Sequence, residues 1–165
     1  MKNLVLIMGL VCAAAASADE PGKADPAKPQ KHFAAATPAE MKFQEMKAPG
    51  APSTAPGTQV AALWGNLQKG ASGAEVKIPA GEKHPLHTHT ANVRGVVISG
   101  TWIIGPDQAS AKEYGPGSFF FTPGGWPHYS ACKEGAECVL YQDTNAPFDI
   151  KMEGAAPAPA TAAAK

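Results

Sequence analysis

From residue 58 to residue 152 the chain runs as short apolar stretches broken by Gly, Pro or Asn, with no helical period. This pattern predicts strands over 60–64, 74–78, 84–90, 93–99 and 101–104. Further strands are expected over 112–114, 118–122, 127–131, 137–142 and 148–151. Strands this short and this evenly spaced, with Gly/Pro turns between them, point to an all-β sandwich or barrel. Outside this region the pattern is lost. Residues 19–57 are rich in Pro, Ala and Lys, and 153–165 are mostly Ala and Pro. Such sequence buries too little apolar surface to fold alone, so extended or disordered extensions are expected there. One island differs. Thr37-Pro38-Ala39-Glu40 carries a cap, a first-turn Pro and a capping-box Glu, which predicts a short helix over 37–47 docked through Met41, Phe43 and Met46.

The first residues read as an export signal. Lys2 gives the positive start, Leu4 to Ala16 the apolar run, and Ala16-Ser17-Ala18 a small-residue cleavage site. Residues 1–18 are therefore expected to be removed, leaving an exported, periplasmic or secreted chain with no stable membrane anchor. The full sequence of 165 residues has room for one domain, at 58–152. The 14 basic and 14 acidic residues balance, so nothing marks a nucleic-acid partner. Cleavage would also remove Cys12. Cys132 and Cys138 remain, flanking a Lys-Glu-Gly-Ala-Glu turn, and in an exported protein they predict a hairpin disulfide. Two alternatives stand beside it: Cys132 free near a metal as a soft ligand or redox group, or two reduced buried thiols.

Four of the five histidines fall in two stretches. The first reads Gly81-x5-His87-x-His89-x3-Val93-x6-Gly100, and the second Gly117-x5-Pro123-x-Gly125-x2-His128-x3-Cys132. Residues two apart on a strand share a face, so His87 and His89 can aim at one point, and the turn at Pro123 to Gly125 can bring His128 there. Three neutral imidazoles make a transition-metal site with open positions. Iron, copper, zinc, nickel and manganese are all candidates for a single divalent ion. His84, an odd number of residues from His87, falls on the other strand face and reads as a rim histidine. His32 lies in the linker.

These spacings resemble the two motifs of the cupin superfamily, G-x5-H-x-H-x3,4-E-x6-G and G-x5-P-x-G-x2-H-x3-N. The match fails at two positions. The Glu slot holds Val93, or Arg94 in the longer spacing, and the last Asn slot holds Cys132. Phrases such as Leu63-Trp64-Gly65, Gly115-Pro116-Gly117-Ser118-Phe119-Phe120 and Gly135-Ala136-Glu137-Cys138 are similar to secreted single-domain cupins of unsettled function. The resemblance implies a small jelly-roll β-barrel with a three-histidine metal site. Some three-histidine cupins are non-haem iron dioxygenases of thiols and diketones, which implies a metal-dependent, dioxygenase-like oxidoreductase as one activity. It also raises a homodimer as one assembly.

With no carboxylate among the ligands, a bound dication would favour an anionic or carbonyl oxygen from a small molecule. Arg94, if it pointed inward, would clamp a substrate carboxylate. The alternation leaves this open, because Val93, Val97 and Ser99 form one row and Arg94, Val96 and Ile98 the other. Trp64, Trp102, Phe119, Phe121, Trp126 and Tyr141 are candidates for a pocket lining or for plain core. Tyr129 and Gln142 are candidate donors behind the ligands. A metal-dependent enzyme, a non-catalytic binder of metal or small ligands and a degenerate scaffold all remain compatible with the sequence.

Overall fold

The structure is a computed structural model that describes residues 35–48 and 57–153. The signal segment 1–18, most of the 19–57 linker and nearly all of the 153–165 tail lie outside the described residues. Eleven strands appear in chain order and no helix is present among the described residues. They are β1 (Gln44–Glu45), β2 (Gln59–Gly65), β3 (Ser72–Ile78), β4 (Lys83–Thr88), β5 (Val93–Ser99) and β6 (Trp102–Gly105). The rest are β7 (Lys112–Tyr114), β8 (Phe119–Thr122), β9 (His128–Cys132), β10 (Cys138–Thr144) and β11 (Lys151–Met152). Two antiparallel sheets result, a six-stranded one in the order β1-β2-β3-β10-β5-β8 and a five-stranded one in the order β11-β4-β9-β6-β7. They face each other as the expected jelly roll.

Alternation decides which side chains meet between the sheets. On β5, Val93 and Val97 are buried, while Arg94, Val96 and Ile98 are exposed. On β10, Cys138, Leu140 and Thr144 are buried. Val76, Ile78, Leu140, Trp102 and Phe120 close the core between the layers. Gly95 faces inward on β5, and a Cβ there would stand 2.3 Å from Phe120 Cζ, so the missing side chain makes room for that ring.

The disulfide forms, but not in a hairpin. Cys132 ends β9 in the five-stranded sheet and Cys138 begins β10 in the six-stranded one, so the bridge joins the two layers across a corner. The pairing leaves neither thiol free as a ligand. The helix expected over 37–47 is a second correction. Glu40 does receive hydrogen bonds from the Thr37 amide and hydroxyl at 2.7 and 2.8 Å. The cap closes a single turn, after which the chain extends into β1, pairing Gln44 with Val60 and Glu45 with Gln59. An open sheet edge supplies more backbone partners than a short isolated helix keeps for itself. Docking still occurs: Met46 packs against the core and Lys77 sits 3.9 Å over the Phe43 ring.

Candidate metal centre

Three neighbouring pieces of chain bring the histidines together. His87 on β4 and His128 on β9 are a cross-strand pair, and His89 follows the end of β4. The Gly125 amide donates to the His89 carbonyl at 2.8 Å, tying the Pro123–Gly125 turn to the first motif. Gly125 adopts φ +76°, which an L side chain disfavours. The result is three buried imidazoles whose ligand nitrogens all lie within 4.8 Å of one another.

Their protonation is set from behind. His87 Nδ1 donates to the Pro85 carbonyl at 2.7 Å, His89 Nδ1 to the Asp149 carbonyl at 2.6 Å, and His128 Nδ1 to the Trp126 carbonyl at 3.0 Å. A carbonyl only accepts, so each ring carries its proton on Nδ1 and keeps Nε2 as a lone pair. Burial pushes His87 down to about 3, reinforced by His128 beside it, and His128 down to about 4. Burial lowers His89 as well, against the opposing pull of its Asp149 hydrogen bond. Three neutral, oriented donors with Nε2 lone pairs fit a divalent transition metal, and the remaining coordination positions would open on the cavity.

The expected ligands His87, His89 and His128 are thus brought together, and the lost glutamate's place is filled by Val93, which lines the cavity. Arg94 points the other way. It is exposed and binds Asp143 through Nε at 2.8 Å, so the inward substrate clamp does not exist. Strand parity is the reason, because an odd step from buried Val93 must lead outward. Phe119 and Phe121 are likewise exposed, at 62% and 49%, and it is Phe120 between them that reaches the cavity. Trp102 lines the cavity, whereas Trp64 donates to Tyr141 Oη at 3.2 Å. Trp126 stacks on the His128 ring at 5.7 Å. Gln142 lines the cavity and Tyr129 does not.

The cavity measures about 340 Å³ and lies between the sheets. The histidines and Trp102 form one wall, while Val76, Ile78, Val93, Phe120 and Gln142 form the other. Met46, Phe148 and Met152 help to close it. Two contributions had no sequence signal. Phe148 lies 4.9 Å from the His89 ring, and Asp149 holds His89 through its backbone while its carboxylate accepts from the Thr90 amide and hydroxyl at 2.7 and 2.6 Å. A backbone acceptor leaves no trace in residue type.

His84 was misplaced by the strand rule. In the β4–β9 ladder His84 pairs with Ser130 and His87 with His128, so β4 carries one extra residue between them. Pro85 sits in this bulge, where its missing N–H costs no ladder bond. The bulge resets the alternation, and His84 lines the cavity together with the triad.

Over residues 39–161 the sequence matches the family described as "Domain of unknown function (DUF4437)". No curated protein matches it. Among solved structures it is similar to the polyketide cyclase RemF from Streptomyces resistomycificus, at 20% identity and TM-score 0.61, over 78% of this chain and 90% of that one. An RmlC-like cupin from Shewanella frigidimarina aligns at 16% identity and TM-score 0.52, over 72% and 92%. A candidate dioxygenase from Nostoc punctiforme aligns at 22% identity and TM-score 0.56, over 66% of this chain and 37% of that one. At these identities the likeness establishes the cupin fold.

Proposed function

The chain belongs to the DUF4437 family, and we propose that it is an exported metal-binding cupin that acts as a small metal-dependent enzyme on a carbonyl-bearing small molecule. The observation that carries this reading is the set of three Nδ1–H···O=C hydrogen bonds that leave three Nε2 lone pairs converging in a buried, roomy site. Histidines kept for packing alone have no need of a common tautomer. A bound divalent ion would polarise a carbonyl as a Lewis acid or, as iron, support dioxygen chemistry. The chain's own residues supply the rest. The triad is electrically neutral, Val93 stands where a carboxylate ligand would, and the facing wall is largely apolar, so an oxygen donor on an apolar body fits best. Arg94 faces outward onto Asp143 and so supplies no carboxylate anchor inside the cavity.

The disulfide supports export, since such bonds persist in oxidising compartments. Strand β8 ends the six-stranded sheet with Phe119 and Phe121 exposed beside Val96, which supports a second copy of this chain as partner for that edge. Phe121→Lys should then shift the sedimentation of a dimer to that of a monomer. The function is tested by elemental analysis of the mature protein beside His87→Ala and His128→Ala. One ion per chain, lost in both variants, is the expected result. Oxygen uptake by the iron-loaded protein with thiols or diketones would specify a dioxygenase. Stoichiometric metal with no turnover of any carbonyl substrate would favour the second reading, a binding protein, for which the purely neutral triad also suffices.

A further inference from the structure

A second polar cluster, of which Thr58, His84 and Ser130 line the cavity, stands beside the triad. His84 Nε2 lies 2.8 Å from Glu82 Oε1, and the same oxygen accepts the Thr58 hydroxyl at 2.7 Å. The other ring nitrogen, Nδ1, lies 3.3 Å from Ser130 Oγ. The Glu82 side chain is only 7% exposed and its second oxygen, Oε2, is buried without a partner among the described residues. A carboxylate accepts, so it fixes the His84 proton on Nε2 and leaves Nδ1 as an acceptor, to which the hydroxyl of Ser130, also on the cavity wall, donates. His84 is not part of the metal cluster: its ring centroid stands 6.2 Å from that of His87, edge to face. Trp102 backs it at 5.8 Å.

We propose that Glu82 and His84 form a carboxylate–imidazole dyad that removes a proton from the carbon beside a carbonyl whose oxygen is held at the histidine triad. The proposal rests on the metal-dependent reading above and names its reaction class, enolisation of an apolar carbonyl compound. In the step, the Ser130 hydroxyl turns away from His84 Nδ1, the C–H proton moves to that nitrogen, the C–H electron pair becomes the enolate double bond, and the carbonyl π pair moves onto the oxygen. No oxidant or reductant is consumed, and returning the proton restores the ketone. Glu82 touches no substrate. It is a positioning residue that orients the ring and offsets the imidazolium charge, for which its unpartnered Oε2 leaves it well suited. The bulge at Pro85 is what brings His84 into the cavity, and the apolar wall of Val76, Ile78 and Phe120 selects an apolar body on the carbonyl.

The test uses the full mature chain loaded with zinc, and phenylacetone as the probe. Exchange of its α-protons in D2O is followed by proton NMR. Wild type should accelerate exchange, and His84→Gln and Glu82→Gln should lose about 10²-fold or more of that acceleration. Both variants should bind zinc as wild type does, and Glu82→Asp should recover part of the rate. Separately, nitrogen-15 NMR of the metal-free wild type should show the His84 proton on Nε2, a tautomer that Glu82→Gln releases. Undiminished exchange in His84→Gln, or a His84 proton on Nδ1 in the wild type, would overturn the dyad. So would zinc bound stoichiometrically without any exchange, which leaves the metal reading standing. Failure to bind zinc or any other divalent ion would instead overturn that reading, and with it the proposal.

Discussion

Each histidine of the triad is held by a carbonyl whose position depends on something else, and Asp149 shows how far that dependence extends. Its carbonyl orients His89, and its carboxylate pins the segment by accepting from Thr90. Asp149→Ala frees that segment without touching a ligand, so metal affinity should fall by about 10-fold, which competition against a chelator of known affinity would measure. The same rings fix a pH dependence in the metal-free protein. His87 and His128 lie near 3 and 4 when folded, below their ordinary value near 6.5 when unfolded. Between those limits the unfolded chain binds more protons, so stability rises with pH through the window and falls as the solution is acidified. Each of the two rings contributes a slope of about 1.4 kcal/mol per pH unit inside its window. Urea midpoints of the metal-free protein should therefore drop between pH 6.5 and 4, and a flat profile would contradict the buried neutral triad. At this scale the sequence was informative wherever spacing carries geometry. His87, His89 and His128 could be read directly, whereas Asp149 acts through a backbone atom that any residue possesses.

Elements went wrong where one local event overrode a correct rule. Alternation on β5 separates Val93 from Arg94 cleanly, yet both rows looked apolar because Val96 and Ile98 face outward beside Phe119 and Phe121. On β4 a single extra residue at Pro85 inverted the expected facing of His84. A proline inside a strand hinted at a bulge, but periodicity alone does not say where the extra residue falls. The turn at Thr37–Glu40 carried every mark of a helix start, and the free edge of β2 captured the chain instead. The Cys132–Cys138 pair was legible from spacing and the expectation of export, but the hairpin expected around it does not form, because sheet membership is decided by long-range pairing. Closing so short a loop should stabilise the fold by about 2 kcal/mol on loop-entropy grounds. Because the bond also links the two sheets, Cys132→Ser/Cys138→Ser should lower the urea midpoint by at least that equivalent and loosen the cavity that lies between them.

At the level of the whole molecule, the two sheets do different work, and this division makes the function testable without knowing the substrate. The five-stranded sheet carries His84, His87, His128 and Trp102, while the six-stranded sheet supplies the Val76, Ile78 and Phe120 wall. His89 lies just beyond the end of β4, and β11 pairs with β4 opposite His87 and Thr88, so β11 extends the histidine-bearing sheet past β4. An ion at the triad would therefore tie β4, β9 and the Asp149 segment together, and unfolding would require its release. At a free metal concentration one hundred times the dissociation constant, such linkage is worth about 2.7 kcal/mol. For a folded core of this size that corresponds to a rise in melting temperature of roughly 13 °C. The rise should be seen with at least one of iron, copper, zinc, nickel or manganese, should vanish in His87→Ala, and should persist in His84→Gln. The last comparison matters most, because it separates the residues that hold an ion from the one assigned to the proton. A His84→Gln protein that no longer responded to any ion would make His84 part of the binding site itself and merge the two clusters into one.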